Sequence, residues 1–418
     1  MSRCVVVGSG AREHALAWAL SKSVEVIVTP GNAGIAAHGF TCVTTPPSEL
    51  DADLFVVGPE QPLVDGLADQ LRAQGKLVVG PGVDGARLEG SKAFMKVFFT
   101  AAGVPTAAYD TFHDEESAYL FLDTLLPPYV IKTDGLAAGK GVLVTNIIDE
   151  ARADVHDKLS GESFGAAGTT IVIEEGLVGD ECSFHVLCDG TDVVALTPAQ
   201  DFKRVGDDDQ GANTGGMGAY APMSAMSSAQ RDEIVRLVIH PTLAELKRRA
   251  IDFRGVLYAG IMLTSSGPKL LEYNVRFGDP ETEVLAPLYG DGLFDLLYRV
   301  ADGRLAGALA PASGAAVTIV LAAEGYPERP RSGDVIHGLG PDGQLATPNE
   351  NVIIFHAGTS RDDEGQFVTS GGRVLAVTGL GADVGEARRR AYEGAALVTF
   401  EGSVRRSDIA RSASEGET

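Results

Sequence analysis

The stretch Leu270–Glu283, L-L-E-Y-N-V-R-F-G-D-P-E-T-E, carries the densest chemistry in the 418-residue chain. Read as a strand, it places Leu271, Tyr273 and Val275 on one face and Glu272, Asn274 and Arg276 on the other. Successive same-face residues lie about 7 Å apart along a strand. Oxygen ligands such as Glu272 and Asn274 suit Mg²⁺, and a planar cation such as Arg276 suits a phosphate. The same alternation also describes a solvated outer face. What precedes it argues otherwise. The apolar run Gly255–Thr264 and the turn signal Ser265-Ser266-Gly267-Pro268 predict an antiparallel hairpin whose first strand is too apolar to face water. Its partner then lies in an interior or a cleft, where a polar face needs partners that a metal–nucleotide complex would supply.

Other stretches add anion-binding chemistry. Strand Tyr129–Lys132 runs into D-G-L-A-A-G-K-G-V (Asp134–Val142) and a second strand, so a glycine-rich turn with Lys132 and Lys140 can close over phosphates. The G-x-x-x-x-G-K-[ST] spacing of a Walker A loop is absent, and such a turn can also be merely structural. Lys92 lies in the first turn of a helix over Ser91–Ala102, where it is either an ordinary surface lysine or a phosphate-facing one. The strand exit Glu174-Glu175-Gly176-Leu177 can offer backbone groups to an adenine edge, with Glu181 in place to accept from ribose hydroxyls. Gly8-Ser9-Gly10-Ala11-Arg12-Glu13 sits at a strand-to-helix turn. Glutamate at its sixth position disfavours a dinucleotide and leaves a single phosphate as the better reading. Pro30-Gly31-Asn32-Ala33-Gly34 follows the next strand on the same sheet edge. Gln200–Tyr220 is a long polar, glycine-rich segment, read as an irregular loop that is either functional or disordered. It mixes Asp201, Lys203 and Arg204 with Asn213-Thr214-Gly215-Gly216, and its Asp207–Asp209 run reads as solvated.

The elements that must position these residues follow from the pattern. Residues 1–86 alternate strands and helices and predict a parallel α/β sheet. Residues 87–300 hold the hairpin and, over about 106–173, a compact α/β unit. Ser227 and Gln230 make a capping box for the helix Ser227–Ala250, and Asp279-Pro280-Glu281 opens another helix with proline near its first turn. Residues 301–314 read as a linker, residues 315–418 as strands and a final helix, and the last ten residues as disordered. The formal charge of −23 argues against nucleic acid or an anionic membrane as partner, and local lysines and backbone N–H groups must meet any anion. No apolar run is long enough to span a bilayer, no signal peptide is evident, and the four cysteines lack metal-site spacing. A cytoplasmic location fits.

These pieces, in this order, resemble the ATP-grasp superfamily and, within it, the phosphoribosylamine–glycine ligase family. The motifs are G-S-G-A-R-E-H-A, P-G-N-A-G, L-E-G-S-K-A-F, V-I-K-T-D-G-L-A-A-G-K-G-V, Q-D-F-K-R-V-G, N-T-G-G-M-G-A-Y and E-Y-N-V-R-F-G-D-P-E-T-E. The resemblance covers almost the whole chain. It implies an N-terminal α/β domain, an ATP-grasp core with a mobile lid subdomain, and a small C-terminal α+β domain. It further implies ligation of glycine to 5-phosphoribosylamine with ATP and Mg²⁺ (or Mn²⁺), through glycyl phosphate, in a monomer. By similarity Lys92, Lys132 and Lys140 hold phosphates, Glu174–Leu177 reads adenine and Glu181 takes the ribose. Glu272 and Asn274 hold the metal, and Lys132, Arg276, Asp201 and Lys203 serve the chemistry. Gly10, Asn32 and Asn213–Gly216 line the remaining substrate sites. Three departures stand out: only a short connection runs from Phe40 to Leu54, Ala11 and Tyr273 stand where relatives commonly have glycine and phenylalanine, and the strand Tyr258–Thr264 carries no acid for a second metal ion.

Overall fold

The computed structural model describes residues 2–136, 141–161, 169–223, 226–308 and 312–416. The first sheet is parallel and five-stranded, in the spatial order Thr41–Cys42, Glu25–Pro30, Arg3–Gly8, Leu54–Val57, Val78–Val79. Its central strands read C-V-V-V and L-F-V-V and are buried from end to end, as expected of a sheet covered on both faces. A second sheet is antiparallel, in the order Tyr109–Phe112, Ile171–Glu175, Tyr129–Thr133, Val142–Thr145. Helices Glu115–Leu122 and Ile148–Leu159 close it into a small core of its own, with Phe112, Leu122, Ile131, Val155 and Ile173 inside.

The third sheet carries the predicted hairpin. Val193–Ala195, Asp180–Asp189, Arg254–Thr264 and Gly267–Asn274 run antiparallel in that order. The pairing departs from simple alternation at one point. Gly260 opposes Glu272 and Ile261 opposes Leu270, so Leu271 is the extra residue of a bulge. Leu270, not Leu271, therefore joins Tyr273 and Val275 in the core, while Glu272, Asn274 and Arg276 keep the face expected of them. Tyr273 is accommodated because its hydroxyl bonds Thr242 Oγ1 at 2.8 Å inside the core.

The last sheet, in the order Gln200–Asp201, Gly218–Ala221, Ala315–Ala322, Arg373–Gly381, Val352–His356, corrects the reading of Gln200–Tyr220 as irregular. Strands Arg204–Gly206 and Gln210–Asn213 form a further ribbon between the two ends of that segment. Each strand is too short to show a period of two, and the partner that orders Gly218–Ala221 lies about a hundred residues downstream. Asp207–Asp209 is likewise not free in solvent. Asp207 accepts from the Ser407 backbone N–H at 2.7 Å, the Asp208 N–H donates to Asp408 at 2.9 Å, and Asp209 pairs with buried Arg406 at 2.7 Å. This clasp fixes the C-terminal tail, which buries Ile409 and Ala410 and forms a helical turn over Arg411–Glu415 in place of the expected disorder. The helix after Asp279-Pro280 begins at Thr282, so the proline precedes the first turn.

The first and last sheets meet through histidines. The His356 backbone N–H donates to His14 Nδ1 at 2.9 Å, and His14 Nε2 faces His38 Nδ1 at 2.8 Å. Burial pushes His14 well below the ordinary imidazole range and His356 down to about 4, so both stay neutral. The His356 ring occupies the space where a Cβ on Gly34 would stand. Gly34→Ala is expected to cost about 2 kcal/mol through this overlap, seen as a lower denaturant midpoint with an unchanged slope.

Candidate functional site

Glu272 projects from the bulged strand into a cleft under the second sheet. Burial alone would raise its carboxyl, but Lys203, Lys132, Lys92 and Arg276 together hold it below the usual carboxylate range. Among the described residues it makes no hydrogen bond and no ion pair with any of these groups. The four cations come from four places. Lys92 starts the helix Lys92–Ala102, Lys132 lies on Tyr129–Thr133, Lys203 follows Gln200–Asp201, and Arg276 lies just past Gly267–Asn274.

Each is held by local chemistry. Ser91 caps the helix by accepting from the Phe94 N–H at 3.1 Å, and Asp134 of the glycine-rich turn adds a bond from the Ala93 N–H at 3.1 Å. Lys92 Nζ rests on the Gly135 carbonyl at 2.9 Å, at the mouth of that turn. Lys140 lies outside the described residues. Lys132 pairs with Glu174 at 2.9 Å, and Lys203 pairs with Glu181. Arg276 is bound by Glu89 at 2.6 Å, by Glu60 at 3.2 Å and by the Phe277 carbonyl at 3.2 Å, and it donates to Asn274 Oδ1 at 3.2 Å. Buried as it is, Arg276 is driven above its ordinary pKa by the carboxylates of Glu89 and Glu60. It is a fixed charge that also aims the Asn274 amide.

A divalent cation fits this arrangement. Glu272 offers an unpaired carboxylate, and Asn274 Oδ1 keeps a lone pair beyond the Arg276 bond. Among the described residues no three His, Cys, Asp or Glu side chains gather into a complete ligand set. Gly260, opposite Glu272, adds no acid. Two oxygen ligands with the remainder from phosphate and water is the usual protein contribution to Mg²⁺.

The other predicted residues divide into two groups. Glu174, Glu181, Asp201 and Lys203 converge on the cleft. Burial raises Asp201 to about 8 against the opposing pull of Lys203, and the Glu281 and Glu181 carboxylates add to the rise. Ser183 Oγ lies 3.4 Å from Asp201 and 2.9 Å from Glu281, which also takes the Tyr258 hydroxyl at 2.5 Å. The N–H and C=O of Leu177 bond to no other backbone group among the described residues, which leaves an edge there for a base. Glu175 instead turns to Lys269 and the Ala108 N–H, both at 3.0 Å. Gly10 donates its N–H to Glu13 at 2.6 Å, so part of the anion-binding capacity of the first turn is met by the protein's own carboxylate. Glu13 fills the space that Gly8 and Gly58 leave open. The Asn32 amide is spent within the protein. It caps Ala33–Ala37 through Ile35 N–H at 2.8 Å and donates to the carbonyls of Ser9 and His356. Thr214 bonds the Lys203 carbonyl at 2.8 Å, and Gly215 is pinned between Tyr326 and Arg373, whereas Asn213 lines a cleft of about 310 Å³ beside Val142–Val144. Lys96, Glu89 and Glu281 were not singled out from the sequence. Only Lys96 left a signal: it lies four residues after Lys92, on the same helix face, where two like charges repel unless an acid sits between them.

A nucleotide-dependent ligase fold is the class that this architecture defines: one antiparallel sheet over a second antiparallel sheet bearing an acid–amide pair. Comparison with known proteins narrows it. Residues 2–89, 90–282 and 316–412 match the N, ATP-grasp (A) and C domain families of phosphoribosylglycinamide synthetase, and the chain belongs to that family. It is 47% identical over 401 residues to a phosphoribosylamine–glycine ligase of Mesorhizobium japonicum, covering 93% of each chain. A solved phosphoribosylamine–glycine ligase of Thermotoga maritima superposes with a TM-score of 0.87 at 36% identity, over 98% of this chain and 100% of that one. The biotin carboxylase domain of Hydrogenobacter thermophilus 2-oxoglutarate carboxylase shares the fold alone, with a TM-score of 0.72 at 17% identity, over 97% of this chain and 91% of that one.

One neighbouring acid yields a test. Both carboxylate oxygens of Glu283 are buried without a hydrogen-bond partner among the described residues. Burial, with the Asp279 carboxylate beside it, pushes the group well above its ordinary 4.5. A carboxyl raised on folding contributes stability in full below its unfolded value, and that contribution is lost as pH rises toward the folded value. Glu283→Gln should therefore lose less unfolding free energy than the unchanged protein between pH 5 and 8, measured by urea titration across that range.

Proposed function

We propose that the chain joins glycine to 5-phosphoribosylamine at the expense of ATP, giving glycinamide ribonucleotide, ADP and phosphate. The observation that carries this reading is the Glu272 carboxylate, ringed by Lys203, Lys132, Lys92 and Arg276 yet paired with none of them. The family membership and the relatives' printed activity supply the substrates. A carboxylate is a poor acyl donor because it would have to expel oxide. Transfer of the γ-phosphoryl group to glycine gives glycyl phosphate, whose leaving group is phosphate. The sugar amine then attacks that carbonyl.

In this reading the protein positions reactants and offsets charge. Glu272 and Asn274 would hold Mg²⁺, which when bound neutralises phosphate charge; Mn²⁺ is the alternative ion. Lys92 and Lys132 hold the triphosphate, and Lys140 belongs to the same set. The Leu177 backbone meets adenine, and Glu181 meets the ribose. Arg276 fixes the Asn274 amide and places a permanent positive charge beside the transferring phosphoryl. Lys203 carries charge between Glu181 and Asp201. Asp201, raised to about 8, is placed to take the proton that the amine loses on forming the amide. Gly10 and Asn213–Gly216 border the substrate sites, and Asn32 supports them by fixing the loop that carries it. The division at 1–86, 87–300 and 315–418, with a mobile lid over about 106–173, and a monomeric, cytoplasmic enzyme without nucleic-acid or membrane partners belong to the same proposal. No helix among the described residues is long and apolar enough to cross a membrane.

The test is ADP release with ATP, Mg²⁺ and freshly made phosphoribosylamine. Glycine should be required, and formate or bicarbonate should not replace it. Glu272→Ala should lower the glycine-dependent rate by at least about 100-fold with an unchanged melting profile. Full turnover in that variant would remove Glu272 from the site.

A further inference from the structure

Lys96 is a lysine with no exposed surface. Its ammonium lies 2.9 Å from Glu174 Oε2 and donates to Thr106 Oγ1 at 2.9 Å, while Lys132 lies 2.9 Å from the other oxygen, Glu174 Oε1. Two ammonium groups thus share one carboxylate. The three residues belong to two bodies of the fold. Lys96 is on the helix Lys92–Ala102 under the central hairpin, whereas Glu174 and Lys132 are on neighbouring strands of the upper sheet. Thr106, which passes the contact on to the Leu270 carbonyl at 2.7 Å, sits where the chain enters that upper sheet.

We propose that Lys96 is a positioning residue for the nucleotide, which neutralises Glu174 so that the charge of Lys132 stays available to the triphosphate. The inference rests on the ATP-dependent reading above. A lone Glu174 beside Lys132 would form a closed pair with no net charge and would hold the Lys132 ammonium back from the cleft. Adding Lys96 leaves the trio at +1, and the surplus lies with the member nearest Glu272. Lys132 Nζ already reaches toward the Leu271 carbonyl at 3.5 Å, next to Glu272. The electrostatics run the same way. Burial lowers Lys96 to about 8 against the pull of Glu174, whereas Glu174 and Glu272 overcome burial and raise Lys132. Glu272 adds to the pull on Lys96, and the rings of Phe99 and Tyr109 also face it without a charge of their own. A buried ammonium is costly to place in a core. An apolar residue would serve packing alone at least as well, so packing does not account for a lysine here.

The experiment is a double-mutant cycle on the full-length protein, with KM for ATP and kcat read by glycine-dependent ADP release. Lys96→Met keeps the length of the side chain and removes the charge. It should raise KM for ATP about tenfold or more, the size expected when one neighbouring charge is removed, with a smaller change in kcat. Glu174→Gln removes the charge that Lys96 offsets. Lys96→Met combined with Glu174→Gln should bring KM back to within about threefold of the starting value. A purely structural lysine predicts altered melting with no change in KM, or a KM defect that Glu174→Gln does not relieve, and either result overturns the proposal. If Lys96→Met does not fold, Lys96→Gln is carried through the same cycle. Failure of the unchanged protein to release ADP would instead overturn the functional reading.

Discussion

Four cations face the Glu272 carboxylate from a distance, and the rest of the fold serves to keep them there. Such a cluster is unstable if left to itself. Like charges repel, and the lowest-energy local solution would be for one lysine to collapse onto the glutamate. The structure prevents this by giving each cation another anchor: Glu174 for Lys132, Glu181 for Lys203, Glu89 and Glu60 for Arg276, and the Gly135 carbonyl for Lys92. What remains is an acid and an amide oxygen facing a positively charged roof. That pattern matches a divalent ion bound to a polyphosphate, with metal toward Glu272 and phosphate oxygens toward the lysines.

The architecture follows from this need. The anchors come from separate elements between residues 60 and 181, so no single sheet could supply them. Glu60 follows a strand of the parallel sheet, and Glu89 lies in the last turn of the helix Val83–Gly90. Glu174 belongs to the upper antiparallel sheet and Glu181 to the hairpin sheet. Contacts outside the cleft then fix these bodies to one another. The His14–His38–His356 group locks the first sheet to the last, and Arg406 with the Asp207–Asp209 run ties down the tail.

Much of this was readable from residues alone, where the signal was local. The Glu272–Asn274–Arg276 face, the hairpin before it and the Ser227–Gln230 capping box depend on spacings of two to four positions. The structure keeps them. The features that escaped depend on distant partners. The bulge at Leu271 is set by the register of the opposing strand. Gly218–Ala221, the strand that Gln200–Asp201 joins, is ordered by pairing with the distant Ala315–Ala322. Asp207–Asp209 looked solvated because Arg406 and Ser407 are about two hundred residues away. Asn32 looked like a ligand group, but its amide is used up on Ile35, Ser9 and His356. A short polar motif shows which atoms are on offer and not which of them the fold has already engaged.

The most direct measurement is a crystal structure with Mn²⁺, a non-hydrolysable ATP analogue and glycine, with the ion located by anomalous scattering. The account predicts the manganese peak about 2.2 Å from oxygens of Glu272 and Asn274, with Lys92 and Lys132 on the phosphates. A bound nucleotide whose metal lies away from both residues, or whose phosphates point away from the two lysines, would contradict it.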